Sequence, residues 1–182
     1  MKAFIVHAPG KSSIEEVDDP IAKPGEVVVN ILRAGVCGTD VEFFNGDMAY
    51  FSTGEAKYPM RLGHEWCGIV SMVGSEKDKA WIGKRVTGDT MLGCQSCNRC
   101  LIGLQHVCAN RYEIGIRNGW PGALAEKLLI PTHALHALPD NIDDTTGALI
   151  EPGGNALRSA QAAHAAPGKR VLIWGSGTIG LR

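Results

Sequence analysis

Residues 26–34 read EVVVNILRA and are opened by Pro24-Gly25. Three consecutive valines followed by Ile31 favour a buried, extended strand, and the Pro-Gly pair marks the turn that starts it. The same pattern recurs outward in both directions. KAFIVH at 2–7 and SIEEV at 13–17 read as a hairpin joined through Pro9-Gly10. CGIVSMV at 67–73 reads as a buried strand, RVT at 85–87 as a shorter one, and LAEKLLI at 124–130 as another, stopped by Pro131. Only Asp40 to Asn45 suggests a short helix. Short strands punctuated by Gly and Pro predict a mainly β domain, a barrel or a sandwich.

The character changes after about residue 143. Asp143-Asp144 suits a helix cap, and GNALRSAQAAHAA at 154–166 is alanine-rich and helical, ended by Pro167-Gly168. VLIWGSGTIGLR then reads as a buried-type strand running into a glycine-rich turn. The division expected is 1–150 for the β domain, with an excursion at 89–119, and 151–182 for the helix and strand-turn.

Composition excludes several classes. The chain has 182 residues, 45% hydrophobic and 20% charged, with a formal net charge of −1. That suits a globular domain and offers no basic excess to hold a phosphate backbone, so nucleic acid is not an expected partner. No apolar run reaches the ~18 residues of a membrane span, and Ala3 to Val6 is too short for a signal-peptide core. No membrane partner and a cytoplasmic location are the expectations.

Of six cysteines, four fall between Cys94 and Cys108 in the pattern Cys94-x2-Cys97-x2-Cys100-x7-Cys108. Two-residue spacers let neighbouring sulfurs face one point ~2.3 Å away, and the longer spacer closes a tetrahedron. Four thiolates leave no open position, so the spacing favours a structural zinc. An iron–sulfur cluster calls for a different last spacing followed by proline, whereas Ala109 follows Cys108. Free cysteines or chance disulfides are the remaining alternative. His106 reads as an exposed loop imidazole.

Cys37-Gly38-Thr39-Asp40 and Gly63-His64-Glu65-Trp66-Cys67-Gly68 form a second constellation. A thiolate, an imidazole and a carboxylate would leave zinc an open fourth position, the catalytic arrangement. Nothing local says that the two segments meet.

Taken together, CGTD at 37–40, GHEWCG at 63–68, the four cysteines, GALAEKLLIP at 122–131, Glu151-Pro152 and GSGTIG at 175–180 resemble the zinc-dependent medium-chain dehydrogenases. That family includes alcohol, polyol and threonine dehydrogenases. The resemblance implies a GroES-like, partly open β-barrel with a structural-zinc lobe, then a short helical segment and the first strand-turn of a Rossmann domain. It implies Cys37, His64 and Glu151 as catalytic zinc ligands, with Glu65 a second acidic neighbour of the metal. Asp40 would orient the zinc-bound histidine and Thr39 would take the substrate proton; their alternative reading is as helix caps. Gly175, Gly177 and Gly180 would hold NAD or NADP. Cys67 departs from the family's usual Ala or Ser and reads as packed, Lys77 and Lys84 depart at surface positions, and Trp66, Trp120 and Tyr58 are divided between cleft and core.

The implied activity is reversible oxidation of a secondary alcohol, polyol or hydroxy amino acid by hydride transfer, with a small-molecule alcohol as partner. The family's cofactor domain would continue past Arg182, so the chain reads as an N-terminal part, inactive alone. The full-length enzyme would be a homo-oligomer, and this part a possible dimer through residues 171–174. A non-catalytic zinc module is the rival reading. A zinc-free reductase of quinones or enals is a further one, against which Cys37, His64 and Glu151 argue.

Overall fold

The computed structural model describes residues 1–181. The central strand is β3 (Glu26–Ala34), as EVVVNILRA predicts. It is paired on both sides, antiparallel to β5 (Trp66–Val73) and to β9 (Lys127–Pro131). Double pairing leaves no solvated edge; Val27 and Val29 face the main core, and Val28, pointing to the other face, is buried as well. With β6 (Arg85–Gly88) and β10 (Leu135–Ala137) they form a five-stranded sheet in the order β10-β6-β5-β3-β9.

A second sheet, β2-β1-β4, comes from the N-terminal hairpin β1 (Lys2–Ala8) and β2 (Lys11–Glu16), closed by the two-residue strand β4 (Met60–Arg61). The segment 122–126 joins the sheets: Ala125 bridges Ala3, and the Leu124 N–H donates to the Leu62 carbonyl. Here expectation and structure differ. The strand read at 124–130 begins at Lys127 because the residues before it are shared between the two sheets. Trp66, Val70, Val86 and Leu128 fill the main core, and Val6, Phe43 and Leu62 a smaller one between the N-terminal sheet and α1 (Gly38–Asn45).

The cysteine excursion is less irregular than its sequence suggests. Strands β7 (Met91–Leu92) and β8 (Tyr112–Glu113) pair antiparallel at its neck, where Leu92 and Ile114 enter the main core. Beyond the neck only α2 (Asn98–Leu101) and single helical turns remain, and α2 buries no residue. Leu101 and Ile102 are exposed, so the tip has no core of its own.

Asp143 caps α3 (Asp144–Ala148) by accepting the Thr146 N–H. The guanidinium of Arg85 ties this end to the barrel through Asp144 at 3.1 Å and the carbonyls of Pro139 and Ile142. The last helix, α4 (Ile150–Ala162), starts and ends four residues before the stretch read as helical. Pro152 does not prevent this, because a first-turn residue has no intrahelical N–H bond to lose.

The strand expected at VLIW is not formed. Residues 171–174 carry no strand pairing among the described residues, and Leu172 and Trp174 are 86% and 96% exposed. A strand is made by its neighbours' hydrogen bonds, and none of the described residues supplies them. No helix among the described residues is long and apolar enough to cross a membrane.

Candidate metal centres

The four loop cysteines converge. Their sulfurs lie within 4.8 Å of one another, with Cys94–Cys100 at 3.9 Å and Cys97–Cys108 at 3.8 Å. A tetrahedron with ~2.3 Å arms has edges of about 3.8 Å, so the spacing suits a zinc ion and is far too long for disulfides. None of the six cysteines is paired. The thiols push one another's ionisation apart. The Ser96 hydroxyl and N–H, with the Cys97 N–H, draw Cys94 down to about 5. Burial and the hydrogen bond with Cys97 push Cys100 up to about 12. A dication is the charge that would let all four ionise together. Arg99 and Arg111 brace the loop by donating to the carbonyls of Val107 and Cys108.

The mixed centre is assembled from distant segments. Cys37 is the N-cap of α1, where the chain leaves β3. His64 and Glu65 sit just before β5, and their residues are 4% and 5% exposed. Donor atoms of Cys37, His64 and Glu65 lie within 4.8 Å of one another.

Two glycines make room for this. Gly63 has φ +98°, and a β-carbon there would lie 2.7 Å from the Leu124 nitrogen. A β-carbon on Gly35 would lie 2.2 Å from Glu65 Oε2. The bare backbone at 35 is the space that the Glu65 side chain occupies.

Asp40, 2% exposed, stands behind the group. Its Oδ2 accepts the Cys37 N–H at 2.9 Å and its Oδ1 the Gly63 N–H at 3.0 Å. His64 Nδ1 is 3.6 Å from Asp40 Oδ1, beyond hydrogen-bond length, and is buried without a hydrogen-bond partner among the described residues. The attraction between them is therefore one of charge. Burial works against the imidazolium, yet Asp40, the Cys37 sulfur and the Glu151 charge outweigh it and lift His64 to about 9. A buried imidazole so strongly drawn to positive charge fits a site built for a cation.

Thr39 lies half-buried in the first turn of α1, beside Cys37. Glu151 lies in the first turn of α4. It falls outside the 4.8 Å group, so the third donor at that distance is Glu65, where the resemblance names Glu151. Glu151 is nevertheless near: burial raises its pKa, the His64 charge and a hydrogen bond from Asn155 oppose this, and the charges of Glu65 and Asp40 add to it. Asn155 was missed by sequence reasoning; its only signal was its place four residues after Glu151.

Among the other residues singled out, Trp66 is core, fully buried. Tyr58 stacks on Phe51 and donates to the Phe43 carbonyl. The Trp120 indole N–H donates to Leu129. Cys67 is buried beneath Gly147, where a β-carbon would meet its sulfur at 3.0 Å. His106 is engaged, 3.2 Å from the Arg158 guanidinium. In the glycine turn, Gly175 has φ +105°, and a β-carbon on Gly180 would lie 2.3 Å from the Gly175 carbonyl oxygen. Among the described residues, nothing would lie within 4 Å of a β-carbon on Gly177.

Known proteins place this arrangement. The model of the alcohol dehydrogenase GroES-like domain matches residues 23–140. An L-threonine 3-dehydrogenase of Pectobacterium carotovorum is 36% identical over 183 residues, covering 100% of this chain and 52% of that protein. One from Rhizobium rhizogenes is 34% identical, covering 100% and 51%. Galactitol-1-phosphate dehydrogenase of Escherichia coli superposes with a TM-score of 0.86 at 34% identity, covering all of this chain and 50% of that one. A short-chain alcohol dehydrogenase of E. coli CFT073, solved with NADH, gives 0.88 at 30%, covering 100% and 51%. The chain thus spans about half the length of the curated relatives it matches. With a β-barrel built around β3, a four-cysteine lobe and a Cys–His–Glu group at the barrel's end, the chain belongs to the alcohol dehydrogenase GroES-like domain family.

Proposed function

We propose that this chain carries the metal-binding catalytic part of a zinc-dependent, NAD(P)-linked dehydrogenase that oxidises a secondary alcohol, polyol or hydroxy amino acid. The observation that carries this reading is the convergence of Cys37, His64 and Glu65 within 4.8 Å, with Asp40 buried behind them. The activities for which the relatives are named, threonine and galactitol-1-phosphate dehydrogenation, support the substrate class. Cys94, Cys97, Cys100 and Cys108 hold a structural zinc. Cys37 and His64 are ligands of a catalytic zinc, and two carboxylates share the third place: Glu65, which lies in the 4.8 Å group, and Glu151, from the first turn of α4.

Bound there, zinc supplies a Lewis acid for an alcohol oxygen. The chain's own residues do the rest. Asp40 holds the His64 ring by charge and fixes the Cys37 backbone. Thr39 Oγ1 accepts the substrate proton and passes it toward solvent. Gly175, Gly177 and Gly180 let the backbone approach a dinucleotide pyrophosphate. Residues 1–150 act as the catalytic domain, with the lobe at 89–119, and 151–182 lead into the cofactor domain. The exposed 171–174 run would pair with a second copy when nothing else covers it, and the whole enzyme would be a cytoplasmic homo-oligomer.

Elemental analysis tests this: two zincs per chain are expected, and His64→Ala should remove one while the fold survives. One zinc in both proteins overturns the catalytic site. A non-catalytic zinc module is the second reading, favoured by residues 171–174, which are exposed and carry no strand pairing among the described residues. Turnover of threonine or polyols by any form that contains this chain would exclude it.

A further inference from the structure

Helix α4 aligns three polar residues. Glu151, Asn155 and Arg158 are four and three positions apart, the spacing that stacks side chains along one side of a helix. Glu151 and His64 are near enough that each charge acts on the other. Asn155 Nδ2 donates to Glu151 Oε1 at 3.2 Å and approaches the Glu151 carbonyl at 3.4 Å. One turn on, Arg158 reaches His106 of the cysteine lobe at 3.2 Å. Pro152 is the only buried residue of α4, so little packed surface sets the helix's rotation. The Arg158–His106 contact does so at the far end.

Glu151 lies in the first turn of α4 and is only half-buried, so its long side chain is free to turn out to water unless a neighbour holds it. A lysine neighbour would hold it, but would place a cation beside a site that must take one. A carboxamide N–H offers attraction without net charge. We propose that Asn155 is the positioning residue for Glu151, holding its carboxylate toward the Cys37–His64–Glu65 group, while Arg158 and His106 set the face of α4 that carries both. The inference rests on the reading of Glu151 as a carboxylate that serves the metal.

The test uses cobalt(II), titrated into this chain against a competing chelator with zinc retained at the four cysteines. The d–d bands report the mixed site. Asn155→Ala and Asn155→Asp should weaken cobalt binding about tenfold, as loss of a partner that orients a metal ligand does, and should alter the bands. Asn155→Gln keeps the donor and should restore affinity to within about threefold of the parent. Arg158→Ala should move it the same way by less. Zinc at the four cysteines and the melting temperature should stay unchanged. If Glu151→Gln weakens cobalt binding and Asn155→Ala does not, the inference falls and the reading of Glu151 stands. If Glu151→Gln has no effect, both fall. Equal losses at both sites, or lower melting temperatures, would make Asn155 a structural residue only and overturn the proposal.

Discussion

Asp40 and His64 face each other with a gap: His64 Nδ1 lies 3.6 Å from Asp40 Oδ1, which accepts the Gly63 N–H at 3.0 Å, while Oδ2 accepts the Cys37 N–H at 2.9 Å. One buried carboxylate therefore fixes the backbone at Cys37 and just before His64, and supplies the charge behind the imidazole. Asp40→Asn keeps the shape and removes the charge. It should weaken metal binding at the mixed site by about 10–100-fold with a small change in stability. Asp40→Ala leaves two N–H groups without their acceptor and should also cost about 2–4 kcal/mol. Chelator competition and urea unfolding of both variants check this; equal stability losses would contradict it.

The raised pKa of His64 has two consequences in metal-free protein. A ligand imidazole must be neutral, so proton competes with metal. Apparent affinity should rise about tenfold per pH unit from this group as pH increases toward 9, then level off. Stability runs the other way. The folded pKa of about 9 is above the unfolded 6.5, so the contribution is complete below pH 6.5 and is lost as pH rises through 9. Its ceiling is roughly 3 kcal/mol. Unfolding of chelated protein at pH 6 and pH 9.5, beside His64→Asn, isolates it; a parent that gains stability over the variant at pH 9.5 would refute the sign.

Gly35 is bare because Glu65 fills the space. A β-carbon there would stand 2.2 Å from Glu65 Oε2 and 3.0 Å from its Cβ. Gly35→Ala should expel the Glu65 carboxylate, cost about 1–3 kcal/mol from overpacking, and lower metal affinity at the mixed site at least tenfold. The four-cysteine site should be untouched. Metal counting during dialysis against a mild chelator shows whether one site is lost or none.

Cys97→Ala should loosen the lobe. Its tip has no buried core, so a zinc bound there would supply the folding energy, with apparent values of about 10–16 kcal/mol in small zinc peptides. Hydrogen exchange should rise across residues 93–111 and stop at the neck, where Leu92 and Ile114 are anchored in the core. His64→Ala should leave those amides protected. The reverse pattern would mean that the roles of the two sites are exchanged.

Residues 171–174 are exposed and unpaired among the described residues. A dinucleotide site needs a parallel sheet beneath its glycine turn. This chain should bind NADH no tighter than millimolar in calorimetry and show no turnover. Micromolar binding would overturn that expectation.

The four cysteines could be read from sequence because all their constraints are local: spacers of two, two and seven residues suffice to close a tetrahedron. The strand at 26–34 was equally legible, since β-branched residues in a row bury both faces without reference to partners. The C-terminal stretch shows the limit of that reasoning. VLIW has the composition of a buried strand, but composition does not provide the hydrogen-bonding neighbours that make one. The short strands Met60–Arg61, Met91–Leu92 and Leu135–Ala137 went unread for the opposite reason, since pairing alone defines them.

The residue types of the mixed centre were visible in CGTD and GHEW, and resemblance named them. Which carboxylate stands with Cys37 and His64 was a matter of tertiary structure. Glu65 enters because Gly35, on another segment, leaves a hole for it, and Glu151 stands farther off because α4 begins at Ile150. Local spacing cannot encode a hole made by a residue thirty positions away. Nor can it encode which face a helix presents, since that depends on contacts with other segments such as that of Arg158 with His106 of the cysteine lobe.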